Sequence, residues 1–122
     1  MTVQTCEIAG WLPDPIANGP HGHWSQKAKK LRIARQTVWG SVKHAGWLPV
    51  QGKAHLEITY VFPQKRRRDV DGLVARSKGV IDGIVDAGVL ADDSIEHLEL
   101  TVRAVVEKGV RATRLVLGEV GR

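Results

Sequence analysis

Only one cysteine, Cys6, stands among the 122 residues, so no disulfide can close within the chain. That fits a reducing compartment. No apolar run reaches the roughly 18 residues that a membrane span needs, so no partnership with a membrane is expected. The N-terminal stretch "MTVQTCEIAGWLP" lacks the basic region and long apolar region of a signal peptide, and the expected location is the cytoplasm. Aromatic residues make up 5% of the chain, and Trp11, Trp24, Trp39 and Trp47 outnumber the single Tyr and the single Phe. Tryptophans can stack on unpaired bases, but the helical spacing of Trp24 and Trp39 places those two in the core. Acidic residues are scarce in the first half. Residues 1–68 carry eleven Lys and Arg against three Asp and Glu, a balance of +8, and residues 69–122 carry seven against ten, a balance of −3. A basic half of this kind attracts polyanions, nucleic acid above all.

What is present is an ordinary globular composition, 43% apolar and 25% charged, in a length that suits one domain over residues 1–122. Residues 2–9 can form a short strand. Residues 11–23 hold three Pro and two Gly and read as a loop. Within it, His21 and His23 form a pair with no further ligand in view, better suited to a phosphate contact than to a metal. From Trp24 the apolar positions Ala28, Leu31, Val38, Trp39 and Val42 recur at helical spacing, and the helix ends near Gly46. Lys27, Lys29, Lys30, Arg32 and Arg35 cover its remaining surface. Residues 54–62 alternate, with Ala54, Leu56, Ile58, Tyr60 and Phe62 on one face, as in a strand with one buried side. A second helix is expected from about Asp71 to Ala87, with Leu73, Ser77, Val80, Ile81, Ile84 and Val85 as its stripe and Gly88 as its C-terminal cap. Residues 95–106 alternate again, with Leu98, Leu100, Val102, Ala104 and Val106 on one face. Lys108-Gly109 reads as a tight turn into a last strand over 110–117, closing a hairpin. The order β-α-β-α-β-β predicts an α+β two-layer sandwich, a mixed sheet with two main helices on one face.

The stretch "KRRRDVDGL", residues 65–73, sets Lys65, Arg66, Arg67 and Arg68 against Asp69 and Asp71. Residues two apart in extended chain point to one side, so the two carboxylates can converge just ahead of the helix. Two carboxylates with waters and phosphate oxygens suit Mg²⁺. Asp92 and Asp93 are candidates for a third ligand, although a helix about 25 Å long separates them from Asp71 unless the loops fold back. Each aspartate also has a plainer reading. Asp69 or Asp71 can cap the helix, and Asp92-Asp93-Ser94 can be turn chemistry.

Residues 66–95, "RRRDVDGLVARSKGVIDGIVDAGVLADDSI", resemble the signature of RusA-type Holliday junction resolvases, crossover junction endodeoxyribonucleases common in phages and prophages. That signature is an Arg-rich approach to D-x-D-N-L, a Lys-bearing helix and a G-V-x-x-D-D segment. Residues 18–39 are similar to the loop and basic helix that precede it. The resemblance implies a homodimeric, Mg²⁺-dependent endonuclease acting on branched DNA in recombination and repair, inside a bacterial or phage-infected cell. It maps the metal-binding aspartates to Asp69, Asp71 and the Asp92-Asp93 pair, with Asp93 favoured. In some members a catalytic lysine follows the second aspartate by four residues. That position is Ala75 here, and Lys78, one turn on, is the candidate. Gly72 stands where the family has Asn. Lys65 to Arg68, Lys27, Lys29, Lys30 and Arg76 are then the DNA-binding cations. Two other readings remain open: a non-catalytic basic nucleic-acid-binding module, and a nuclease acting on forks or flaps.

Overall fold

A computed structural model of the chain describes residues 3–15 and 24–120. Its elements are β1 (Val3–Ala9), α1 (Trp24–His44), β2 (Ala54–Phe62), α2 (Val70–Asp86), β3 (Leu98–Val106) and β4 (Ala112–Glu119). They form an α+β fold, a four-stranded mixed sheet in the order β1-β4-β2-β3 with the two helices packed on it. β2 and β3 are parallel, and β4 is antiparallel to both β1 and β2. Parallel neighbours need a long crossover, which α2 supplies.

Both helices end by the same device. Gly46 and Gly88 adopt φ of +76° and +79°, which other residues resist. At the end of α2 the Val89 N–H donates to Ile84 O and the Gly88 N–H to Val85 O. At the end of α1 the Trp47 N–H donates to Val42 O and the Gly46 N–H to Lys43 O. Each set satisfies carbonyls that the helix leaves open.

The core lies between the sheet and the helices. Leu56, Ile58 and Tyr60 of β2 and Leu115 and Leu117 of β4 meet Val38 and Val42 of α1 and Val80 and Ile84 of α2. The helices approach closely because α2 presents glycine where α1 presents Ala34 and Val38. Within this core the Tyr60 hydroxyl and Ser77 Oγ are 2.7 Å apart, and Ser77 Oγ donates to Leu73 O at 2.9 Å. Ser77 has one proton, so Tyr60 is the donor of the pair. Burial pushes the Tyr60 phenol up to about 12, against smaller opposing effects of Ser77 and Arg76. The raised value means that the fold favours the neutral phenol. The contribution is intact below pH 10, where the unfolded chain is also protonated, and is lost as pH rises from about 10 to about 12, on the order of 2 kcal/mol. As Tyr60 is the sole tyrosine, the native tyrosinate absorbance is expected to stay absent at pH 10.5 and to rise only near about 12.

Three expectations are corrected. β3 and β4 do not form a hairpin: β4 inserts between β1 and β2, and β3 stands at the edge. The turn after β3 is laid across the end of β2, with the Glu107 N–H donating to Phe62 O and the Gly109 N–H to Pro63 O. The more apolar β4, with Thr113, Leu115 and Leu117 fully enclosed, takes the central place, while most of β3 remains exposed. Secondly, Trp24 and Trp39 are not core residues; they are 80% and 47% exposed. The buried stripe of α1 is Ala34, Val38 and Val42, and its first turns, including Ala28, lie in solvent. Thirdly, the alternating face of β3 is buried only at Leu98, because α2 does not reach over the rest of that edge strand. Of the described helices, none is long and apolar enough to cross a membrane.

Candidate functional site

Pro63 stops β2, and the chain runs through the cationic segment straight into α2. Lys65, Arg66 and Arg67 are exposed. Arg68 turns back, its guanidinium 3.7 Å from the centre of the Phe62 ring, and donates to Gln64 O and Arg66 O, each at 3.3 Å. Asp69 occupies the N-cap position of α2, but its side chain makes no capping bond. Its carboxylate lies in solvent, 3.7 Å from the Arg67 Nε. Asp71, in the first turn, accepts only the adjacent Gly72 N–H at 3.0 Å. Neither carboxylate is tied up in holding the fold together.

The Asp92-Asp93 loop does fold back. Asp92 Oδ1 accepts the Ser94 N–H at 2.8 Å and lies 3.0 Å from His97 Nδ1. The Ser94 hydroxyl and amide, with His97 beside them, hold the Asp92 carboxyl below its ordinary range. Asp92 therefore serves the turn, in agreement with the plainer reading. Asp93 instead lines a groove of about 390 Å³ with Lys27, Leu31, Val74, Ala75, Lys78, Ile81 and Leu100. Residues 71, 74, 75 and 78 share one stripe of α2. The loop thus carries Asp93 alongside the middle of α2, at Val74, Ala75, Lys78 and Ile81, while Asp71 does not itself line this groove.

The set is not closed. Among the described residues no three His, Cys, Asp or Glu side chains stand close enough to hold a metal. Carboxylate oxygens suit Mg²⁺ in chemistry, so the donor type fits while the assembly is incomplete in one chain. Lys78 reaches the same groove and also lies 3.6 Å from Asp82, one turn on. Of the expected DNA contacts, Lys27 and Lys29 project from the exposed start of α1, and Lys30 Nζ donates to Pro15 O at 3.2 Å. Arg76 differs: it is half-buried, and its Nη1 donates to Pro13 O at 3.3 Å. His21 and His23 lie outside the described residues.

Two features escaped the sequence reading. One is a cleft where Arg66, Arg68 and Arg76, each expected to contact DNA, meet Phe62, Arg111 and residues 12–15; nothing in the sequence joined them to Arg111. The other is an apolar groove of about 510 Å³ formed by Val70, Leu73, Val74, Leu100, Val102 and Ala104, beside the unpaired edge of β3. It shares Val74 and Leu100 with the Asp93 groove.

No family model matches the chain. A protein of Xylella fastidiosa (strain Temecula1 / ATCC 700964), described only as uncharacterized, is 30% identical over 101 residues. The match covers 71% of this chain and 66% of that protein, so the chain spans just under two thirds of its relative's length.

Proposed function

We propose that the chain is a Mg²⁺-dependent, structure-selective endodeoxyribonuclease of the RusA type, resolving four-way DNA junctions by paired nicks in recombination and repair. The observation that carries this reading is the return of Asp93 to the groove of Ala75 and Lys78, on the stripe of α2 that starts at Asp71. Free carboxylates at Asp69 and Asp71, next to exposed Lys65, Arg66 and Arg67, support it. Asp69, Asp71 and Asp93 would supply the carboxylates for Mg²⁺, which when bound would polarise the scissile phosphate as a Lewis acid and make a water more acidic. Lys78 offsets charge that develops on the phosphoryl oxygens. Lys65, Arg66 and Arg67, with Lys27 and Lys29 of α1, grip the flanking backbone, which sets position without reading sequence. The setting is the cytoplasm of a bacterial or phage-infected cell.

A second copy is the partner that fits the β3 edge. Val70 and Val74 are 76% and 48% exposed and open directly onto that edge, which has no neighbour strand among the described residues. An isologous contact here has the two-fold symmetry of a four-way junction, and it lies beside the Asp93 groove. Val74→Glu places a charge in that contact. It is expected to turn a dimer into a monomer in sedimentation and to uncouple the paired nicks, with stability changed by less than about 0.5 kcal/mol, as at other exposed positions.

The incomplete carboxylate set favours one rival, a basic DNA-binding module that cuts nothing. Labelled four-way, forked and linear duplexes incubated with Mg²⁺ or with EDTA separate the readings. Paired, symmetric, Mg²⁺-dependent nicks in the junction alone support resolution. Cuts confined to forks or flaps reassign the substrate, and binding without nicks removes the enzyme.

A further inference from the structure

The cleft between β2, α2 and the 12–15 segment gathers cationic side chains. Leu12, Pro13, Asp14, Pro15, Phe62, Pro63 and Gln64 form its walls, and four arginines, Arg66, Arg68, Arg76 and Arg111, converge on it. They come from three places in the chain. Arg66 and Arg68 precede α2, Arg76 lies within it, and Arg111 is delivered by the turn that crosses the end of β2.

Most of the arginines elsewhere are paired with carboxylates, although Arg32 of α1 is exposed and makes no ion pair among the described residues. Arg35 pairs with Asp86, Arg103 with Glu57, and Arg114 with Glu7 and Glu107. Among the described residues, none of the four in the cleft has a carboxylate within salt-bridge distance, although Arg67 next door does. The Arg76 Nε is buried without a hydrogen-bond partner among the described residues. Such groups are rare in native proteins and call for a partner not yet present. Burial pulls the Arg76 guanidinium below its ordinary range, and Arg68 and Arg111 act in the same direction, while Tyr60 and Asp14 oppose them. The Arg68 guanidinium lies over the Phe62 ring, 3.7 Å from its centre, and Arg76 stands 5.7 Å from the same ring. Planar forks fixed in this way suit a phosphate. The cavity, about 200 Å³, is smaller than the roughly 300–1,000 Å³ that encloses small organic ligands.

We infer that Arg68, Arg76 and Arg111 form a dedicated phosphate pocket, distinct from the carboxylate groove, that seats one backbone phosphate of the bound nucleic acid. The identity of the occupant rests on the nuclease reading; the oxyanion site itself does not. Arg111 is exposed, so its replacement should leave the fold intact.

The test is junction binding in EDTA across a salt series, comparing wild type with Arg111→Gln, Arg76→Lys and the control Arg103→Gln on the other face of the sheet. Arg111→Gln is expected to weaken binding about tenfold and to lower the slope of log K against log salt by about 0.9, the value of one phosphate contact. Arg103→Gln should change affinity less than about twofold, since a surface charge away from the contact is worth little. Inorganic phosphate should raise the melting temperature of wild type more than that of Arg111→Gln. Equal slopes for Arg111→Gln and Arg103→Gln, or equal stabilisation by phosphate, overturn the pocket. Arg111-dependent binding to phosphatidate vesicles with no such dependence on DNA overturns nucleic acid as the occupant. A wild type that nicks nothing yet shows the Arg111-dependent slope removes the nuclease and keeps the pocket. Nicking with an unchanged slope in Arg111→Gln does the reverse.

Discussion

Asp71→Asn is expected to lower Mg²⁺-dependent nicking of a four-way junction at least about a hundredfold, the scale on which one transition-state contact is lost. Binding of the same junction in EDTA should stay within about twofold of wild type or tighten, because a repelling charge is removed from a surface that meets phosphates. The separation of the two effects follows from local structure. Asp71 sits exposed in the first turn of α2 and accepts only the N–H of its neighbour Gly72. Asparagine keeps that acceptor and the side-chain shape, so stability should change by less than about 0.5 kcal/mol. Asp93→Asn should behave alike, since Asp93 lines the groove, whereas Asp92→Asn should act mainly on the turn through Ser94 and His97. Equal nicking by wild type and Asp71→Asn would leave the aspartates as helix-terminal residues and no more.

Gly83→Ala is expected to be among the most destabilising single-methyl additions in the chain. In an isolated helix the change gains about 1 kcal/mol. Here the added Cβ would lie 2.7 Å from the Arg35 carbonyl oxygen and 2.8 Å from Val38 Cβ. Gly79 is similarly placed, 2.6 Å from Ala34 Cβ. The blocking atoms are backbone and Cβ, which cannot swing aside, so the two helices must part and unpack Val38 from the core. Overpacking of this kind costs about 1–3 kcal/mol and can exceed that when backbone has to move. A net loss of about 2 kcal/mol corresponds to a melting temperature lower by about 8 °C in a domain of this size. Gly72→Ala provides the contrast. Nothing lies within 4 Å of its added Cβ, so the helical gain of up to about 1 kcal/mol should appear in full. Thermal unfolding of the two variants side by side checks the helix contact directly; a Gly83→Ala protein as stable as Gly72→Ala contradicts it.

Those glycines mark where sequence reading worked and where it stopped. β2 was legible to the residue because alternation and Pro63 fix both its face and its end. α2 was legible because its stripe and Gly88 agree on one helix. The small side of the helix contact, Ala34 opposite Gly79, carries little hydrophobic signal, so the larger Trp24 and Trp39 drew the core assignment and proved exposed. Strand order was not legible from spacing. Two alternating strands joined by Lys108-Gly109 look like a hairpin, and only the crossing over Phe62 and Pro63 sends β4 to the other side of β2.

At the site, Asp69 and Asp71 could be named from spacing, but the fold-back of Asp93 depends on the loop after Gly88. The arginine cleft is assembled from residues 12–15, 62–68, 76 and 111, with no local pattern to announce it. The rest of the β3 edge shows the same limit. Its alternating face predicts burial, and the apolar groove exists because α2 leaves that face uncovered.

The central claim is that carboxylates from two separate segments grip one divalent ion. Mn²⁺, added below stoichiometry to the protein bound to an uncleavable junction, broadens amide resonances near the ion and so tests this directly. The account predicts that residues 69–72 and 92–94 broaden together and that Asp71→Asn relieves both. Broadening at 69–72 with 92–94 untouched, or at neither segment, would contradict it.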